Sequence, residues 1–167
     1  MSRRKAREAA IMLLYHWDMM GYSDENISTT LGETIEGGDS GEFPKIELNQ
    51  DDNCYIDSIL GHIRTNLQSI DFAIEAEAVG WKLNRIPKVD LAILRLGVCE
   101  LVYRTDIPGA VTINECVDLA KHYSTENSGT FINGVLSTIL KKNGGSPCPF
   151  SGGGLGGFCE GVIANWS

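Results

Sequence analysis

Residues 89–102 constrain the fold of this 167-residue chain more than any other segment, because they are apolar on nearly every helical face. Only three charged residues interrupt the segment: Asp90, Arg95 and Glu100. A helix that is apolar all round has to be surrounded by other elements. We therefore predict that this segment forms the central helix of an all-α protein.

Apolar residues elsewhere recur at the three- and four-residue spacing of a helix face, and no segment alternates as a strand does. With the central segment, these stripes predict about seven helices. The other six are predicted at about residues 6–17, 24–36, 53–67, 69–79, 112–121 and 128–142, and the pattern is weakest at 24–36.

Polar residues and glycines mark the predicted helix boundaries. The run Asp51-Asp52-Asn53 has N-cap chemistry and follows an acidic, glycine-containing loop over residues 36–50. Thr112 and Glu115 have the spacing of a capping box, which predicts a helix start there. Gly80 is predicted to end a helix, whereas Gly134 is predicted to permit a close contact between two helices.

The charge of the chain is unevenly distributed around its net value of −8. Residues 1–7 carry four basic side chains and no acidic one, whereas residues 8–52 carry eleven acids and one base. Local fields rather than net charge attract a polyanion, so the basic end remains able to bind phosphate groups.

The sequence offers no catalytic or metal-binding motif. The three histidines and five cysteines lack metal-ligand spacing, and Cys54, Cys99 and Cys116 fit small buried residues of helices. No signal peptide or membrane span is apparent, so we expect a cytoplasmic protein that is not an enzyme and needs no cofactor. Residues 144–167 include eight glycines and are predicted to form a disordered tail.

Four ordered blocks of sequence resemble the NusB family. The first is the basic opening at residues 3–8, followed by Leu14-Tyr15. The others are W-K-L-N-R-I with V-D-L-A-I-L-R-L and E-L, then I-P with V-T-I-N-E-C-V-D-L-A-K, and finally F-I-N-G-V-L. They occupy residues 81–101, 107–121 and 131–136. Residues 21–52 are longer and more acidic than the family pattern, and the glycine-rich tail departs from it.

The resemblance implies a function and an organisation in two packed small helical bundles, over residues 1–67 and 68–143. It implies a transcription antitermination factor that binds boxA-type single-stranded RNA in nascent ribosomal RNA. The ribosomal protein NusE would be its partner, within an RNA polymerase antitermination complex that supports transcription of ribosomal RNA operons.

Two places are predicted to contact RNA. One is the basic start of the first helix, where a solvated charged terminus is the alternative interpretation. The other is the entrance of the last helix, where an aromatic ring beside helix-start amides suits single-strand recognition, and ordinary capping and flank packing are the alternative. The predicted RNA-binding residues are Arg3, Arg4, Lys5, Arg7, Asn127 and Phe131.

Partner-facing residues are less well defined by sequence. Tyr15 lies nearly opposite the apolar stripe of its helix, where it could contact a partner, a neighbouring helix or a base. Asp90 is the acid on an otherwise apolar helix and is predicted to face the partner protein. Trp81 is assigned to the packing that specifies the fold.

Two other functions stay open at this point. NusB-like domains also occur at the front of some ribosomal RNA cytosine-5 methyltransferases, so the chain could be a fragment of such an enzyme. A helical protein-interaction module without RNA binding is the other alternative, and self-association into a homodimer also stays open.

Overall fold

A computed structural model describes residues 3–21, 46–104 and 106–143. The weakly predicted helix at residues 24–36, most of the acidic loop and the glycine-rich tail lie outside these ranges. The described residues form five α-helices, one 3₁₀ turn at Leu83–Arg85 and no strand. The helices are α1 Arg3–Met20, α2 Gln50–Glu77, α3 Lys88–Tyr103, α4 Gly109–Tyr123 and α5 Glu126–Lys142.

The all-α prediction is confirmed, although the count of about seven helices is too high for the described ranges. The helices predicted at residues 53–67 and 69–79 are both part of α2. Asn66 interrupts it with a non-helical backbone (φ −120°, ψ 22°), and its side-chain amide donates to the carbonyl of His62 at 3.0 Å. No helix in the described ranges is long and apolar enough to span a bilayer.

The described chain forms two compact units, of which the first ends at Gly61 and the second begins at His62. In the first unit, α1 buries the predicted stripe of small and large apolar residues. These are Ala6, Ala9, Ala10, Leu13, Leu14 and Trp17. The beginning of α2 buries Tyr55, Ile56, Ile59 and Leu60.

Helix α3 is the centre of the second unit, as the sequence predicts. Its residues from Asp90 to Leu101 are all buried, and it packs against both α4 and α5, which also pack against each other. The close approaches occur at Gly97 and Gly109. A Cβ atom added there would lie 2.8 Å from Leu136 Cδ1 and 2.6 Å from Leu140 Cδ1, respectively.

Gly134 is different, because it is exposed and a Cβ atom added there would meet nothing within 4 Å. The predicted helix contact at Gly134 is therefore wrong. Cys99 and Cys116 are buried as expected, and burial raises the pKa of the Cys99 thiol, but Cys54 is exposed.

Two predicted helix starts are also wrong. At the start of α2, Asn49 Oδ1 accepts from the amide of Asp52 at 2.8 Å, and Asp52 Oδ2 accepts from the amide of Asn49 at 3.1 Å. This reciprocal cap places the helix start before the predicted Asp51–Asn53 run. Helix α4 starts after Pro108, so Thr112 lies inside it and donates to Glu100 Oε2 at 2.8 Å.

Candidate nucleic-acid interface

The basic start of α1 divides into exposed and buried side chains. Arg3 and Lys5 are exposed, and Arg4 is half-buried with its Nε 3.4 Å from Glu8 Oε1. The Arg3 guanidinium lies 5.9 Å from the ring centroid of Tyr55, within the range of a cation–π contact. Arg7 is only 3% exposed. Burial therefore removes Arg7 from the predicted phosphate-binding set.

The field at the start of α1 is positive for two reasons. No acidic residue occupies the first turn of this helix, and the helix dipole adds its own positive end there. The positive end of the dipole repels cations at this position, so these cations do not stabilise the helix. An anion bound there would relieve that repulsion.

The entrance of α5 is organised by a chain of hydroxyl groups. Thr125 is the N-cap, and its Oγ1 accepts from the amide of Ser128 at 3.1 Å. The Ser128 hydroxyl then donates to Asp90 Oδ2 at 2.8 Å. The sequence predicted free backbone amides at this helix start. At least one of them, the amide of Ser128, is used by the cap. Asn127 is exposed in the same turn.

The Ser128 hydroxyl binds one oxygen of the Asp90 carboxylate, whereas the other, Oδ1, is buried without a hydrogen-bond partner among the described residues. Asp90 is 2% exposed and lies in the first turn of α3, where an acid favours the helix dipole. The prediction that Asp90 faces a partner protein is wrong for this structure, because its carboxylate joins α3 to the entrance of α5. Tyr15 is half-buried on α1, and its partner role stays a prediction.

Phe131 lies one turn into α5 and is half-buried, so the core does not fully enclose it. Its ring centroid is 6.1 Å from that of Trp81, and the two ring planes are tilted by 53°. Trp81 is 49% exposed, which contradicts its assignment to packing. Sequence reasoning missed this second aromatic, although its position after Gly80, beyond the end of a helical stripe, was a usable signal.

Lys121 of α4 adds a cation at the entrance of α5. Its side chain lies across Gly129, where an added Cβ atom would be 3.0 Å from Lys121 Cγ. Lys121 is exposed and lies beside the first turns of α5. Across the described ranges, no group of three or more His, Cys, Asp or Glu side chains could hold a metal ion.

Comparison with known proteins identifies the family. The model of the NusB family matches residues 4–141. The transcription antitermination protein NusB of Acetivibrio thermocellus is 44% identical over 142 residues, which cover 84% of this chain and 90% of that protein. NusB of Clostridium novyi is 40% identical over 141 residues, covering 84% and 99% of the two chains.

Solved structures agree with this assignment. T. maritima NusB superposes with a TM-score of 0.72 at 33% identity, covering 84% of this chain and 92% of that one. A NusB chain from a complex of the antitermination factors NusB and NusE with dsRNA gives a TM-score of 0.70 at 32% identity, covering 83% and 96%. The chain therefore belongs to the NusB family.

Proposed function

We propose that this protein is a transcription antitermination factor that binds boxA-type single-stranded RNA in nascent ribosomal RNA together with the ribosomal protein NusE. The observation that carries the proposal is the family match over residues 4–141, with relatives named transcription antitermination proteins. A related NusB chain has been solved in complex with NusE and dsRNA, which supports NusE and RNA as partners here, while the single-stranded form of the RNA rests on the family resemblance. The protein acts in the cytoplasm, within the RNA polymerase antitermination complex, and catalyses no reaction.

The cations of α1 that are not buried form one proposed RNA contact. Arg3, Arg4 and Lys5 supply charge for the phosphate backbone, which gives affinity without sequence preference. Their position at a helix start without an acidic residue supports this role, since the dipole and the three side chains attract the same anion.

The entrance of α5 forms a second proposed RNA contact. Asn127 presents an exposed amide side chain that can both donate to and accept from a base edge. Phe131 adds a ring on which a base can stack, and its contact with Trp81 keeps that ring in place. For the protein partner we retain Tyr15, which is half-buried on α1 and has the amphipathic character common in interface residues.

Binding of a boxA-like RNA to the full chain, with and without NusE, tests the proposal. We expect binding of the single strand, tighter binding when NusE is present, and much weaker binding of a duplex of the same sequence. Binding of NusE without any binding of RNA would contradict the proposal and favour a protein-interaction module. Binding of neither partner would contradict it altogether.

A further inference from the structure

The segment that joins α2 to α3, residues 81–88, combines an exposed indole ring with basic side chains. We refer to it as the connector. Trp81, Lys82, Arg85 and Lys88 are all exposed. Residues 81–89 contain these three bases and no acid, although the whole chain has a net charge of −8. The connector is therefore a local site of positive charge beside an aromatic surface.

The backbone of the connector fixes where these side chains lie. Gly80 has a φ of +82°, and the amide of Trp81 donates to the carbonyl of Ala78 at 2.9 Å, so the chain turns sharply before the indole. A left-handed φ favours glycine, which has no Cβ atom to clash. After the turn, Ile86 is buried and anchors the connector to the second unit.

The 3₁₀ turn at Leu83–Arg85 places one cation at each of its ends. The amide of Arg85 donates to the carbonyl of Lys82 at 2.9 Å. Lys82 is the N-cap of this turn, with an extended backbone, and Arg85 is its last residue. The two cations therefore flank a single short turn. Neither side chain is paired with an acidic residue of the described ranges.

The contact with Phe131 holds the indole of Trp81 in a defined orientation. A centroid distance of 6.1 Å with a 53° tilt is within the range of favourable aromatic pairs. Because Trp81 nevertheless stays 49% exposed, part of its ring system remains open to a ligand. A large aromatic surface that is fixed but open, next to cations, is what single-stranded nucleic acids bind.

We propose that the connector is a contact site for single-stranded RNA, in which Trp81 stacks on a base and Lys82 and Arg85 bind phosphates of the same strand. The proposal rests on the proposed function and extends its RNA surface from the entrance of α5 to the connector between α2 and α3. Trp81 and Phe131 are the point at which the two parts meet.

Substitution of Trp81 tests the stacking contact by affinity. We expect Trp81→Ala to weaken binding of a boxA-like single strand by at least about fivefold, whereas Trp81→Phe retains most of the affinity because it keeps an aromatic face. Phe72→Ala is the matched control, since Phe72 is a 54% exposed aromatic of α2 outside the connector. This control should bind RNA as the unsubstituted protein does.

Tryptophan fluorescence gives a second measurement, because RNA-dependent quenching of the indole is not expected from a change in folding. Stacking of a base on an indole quenches its emission, so the same RNA should quench the unsubstituted protein. The Trp81→Phe variant, which retains Trp17 and Trp166, should lose that quenching while still binding RNA.

The phosphate contacts are tested by the salt dependence of binding. Lys82→Ala and Arg85→Ala should each reduce the slope of log K against log[salt] by about 0.7, the value for one contact to a single strand. Lys141→Ala is the matched control, because it removes one exposed cation ten residues beyond Phe131 on α5.

Two failures can be told apart. Unchanged affinity, quenching and salt slopes in these variants, with RNA still bound by the unsubstituted protein, would overturn the connector site and leave the proposed function intact. Absence of RNA binding by the unsubstituted protein would overturn the proposed function and the connector site together.

Discussion

At the scale of single residues, the second unit contains an ion pair between Arg95 and Asp71 in which the guanidinium is buried. The guanidinium binds the carboxylate through two nitrogens, at 2.8 and 2.9 Å. Arg95 is 4% exposed and lies in the middle of α3, whereas Asp71 is half-buried on α2. A buried guanidinium of this kind is stable only while its charge is compensated.

We expect Asp71→Ala to lower the free energy of unfolding by about 3 kcal/mol, because it removes this compensation from a buried cation. The control is Asp106→Ala, which removes the exposed partner of Arg104 from a pair of similar geometry, at 2.9 and 2.9 Å. That change should cost less than about 1 kcal/mol. Urea unfolding measures the free energy of unfolding of both variants. Equal losses would contradict the expectation that burial of Arg95 makes its ion pair the more important one.

His62 makes stability depend on pH. Its ring stacks on Tyr103 at 4.7 Å, and burial, with a smaller effect of Arg104, lowers its pKa from the ordinary value of 6.5. The unfolded chain then binds more protons than the folded one near and below pH 6.5, so stability rises with pH through this range and is lost as pH falls.

The His62→Phe variant keeps an aromatic ring against Tyr103 and removes the titrating group. We expect its urea midpoint to change less than that of the unsubstituted protein between one pH unit below and one above 6.5. His122→Phe, on the exposed side of α4, is the matched histidine control. An identical pH dependence in all three proteins would refute the assignment.

At the scale of helices, packing in the second unit depends on where backbones approach each other. Side chains of α4 and α5 meet the backbone of α3 at Gly97, since an added Cβ atom would lie 2.8 Å from Leu136 of α5 and 3.2 Å from Cys116 of α4. Gly134 of α5 has no such neighbour. The same residue type therefore has opposite roles in two adjacent helices.

Substitution of these two glycines by alanine should have effects of opposite sign. Gly97→Ala forces a methyl group into a filled contact and should destabilise the protein by about 1–3 kcal/mol. Gly134→Ala relieves the cost of glycine in a helix and should stabilise it by up to about 1 kcal/mol. Thermal or urea unfolding of the two variants checks this, and a stable Gly97→Ala protein would argue against the tight contact.

Sequence periodicity predicted the helices well because a buried stripe is a local property of the chain. The buried run of α3 and the stripe of α1 are direct examples. The helix starts were harder to predict. Asn49, and not the Asp51–Asn53 run, caps α2, and Thr112 takes its role from a partner that spacing alone does not identify. Thr112 has the spacing of a cap, but its partner Glu100 lies on another helix.

At the scale of the whole molecule, an acidic protein has to attract a polyanion through a small part of its surface. Arg3, Arg4 and Lys5 provide one such part in a chain of net charge −8. If all three contact phosphates, replacing them with alanine should reduce the slope of log K against log[salt] by about 2.

Arg7→Ala tests the distinction between exposed and buried cations at this end of the chain. Because Arg7 is 3% exposed, its loss should lower stability and leave the salt slope unchanged. RNA titrations across a salt series, with a parallel unfolding curve, separate the two effects. If Arg7→Ala reduced the salt slope by about 0.7, the value for one phosphate contact, Arg7 would return to the set of RNA-binding residues.

The site was less predictable from sequence than the fold. Asp90 has the sequence character of a surface acid in an apolar helix, yet it is buried, and Ser128 donates to it from a position 38 residues away. Trp81 belongs to a block that resembles the family, and the sequence does not distinguish a packed indole from an exposed one. Exposure depends on which neighbours the tertiary fold supplies, as Phe131 does for Trp81.

The hydrogen bonds that Ser128 donates, from its amide to Thr125 and from its hydroxyl to Asp90, have a consequence for binding entropy. They tie the first turn of α5 to the first turn of the buried central helix, so the turn that carries Asn127 is ordered before any ligand arrives. A preordered surface loses little conformational entropy on association. When RNA binds at this entrance, less of the favourable free energy of contact is therefore offset by ordering of the protein. A loop that had to fold around the RNA would bind it more weakly for the same contacts.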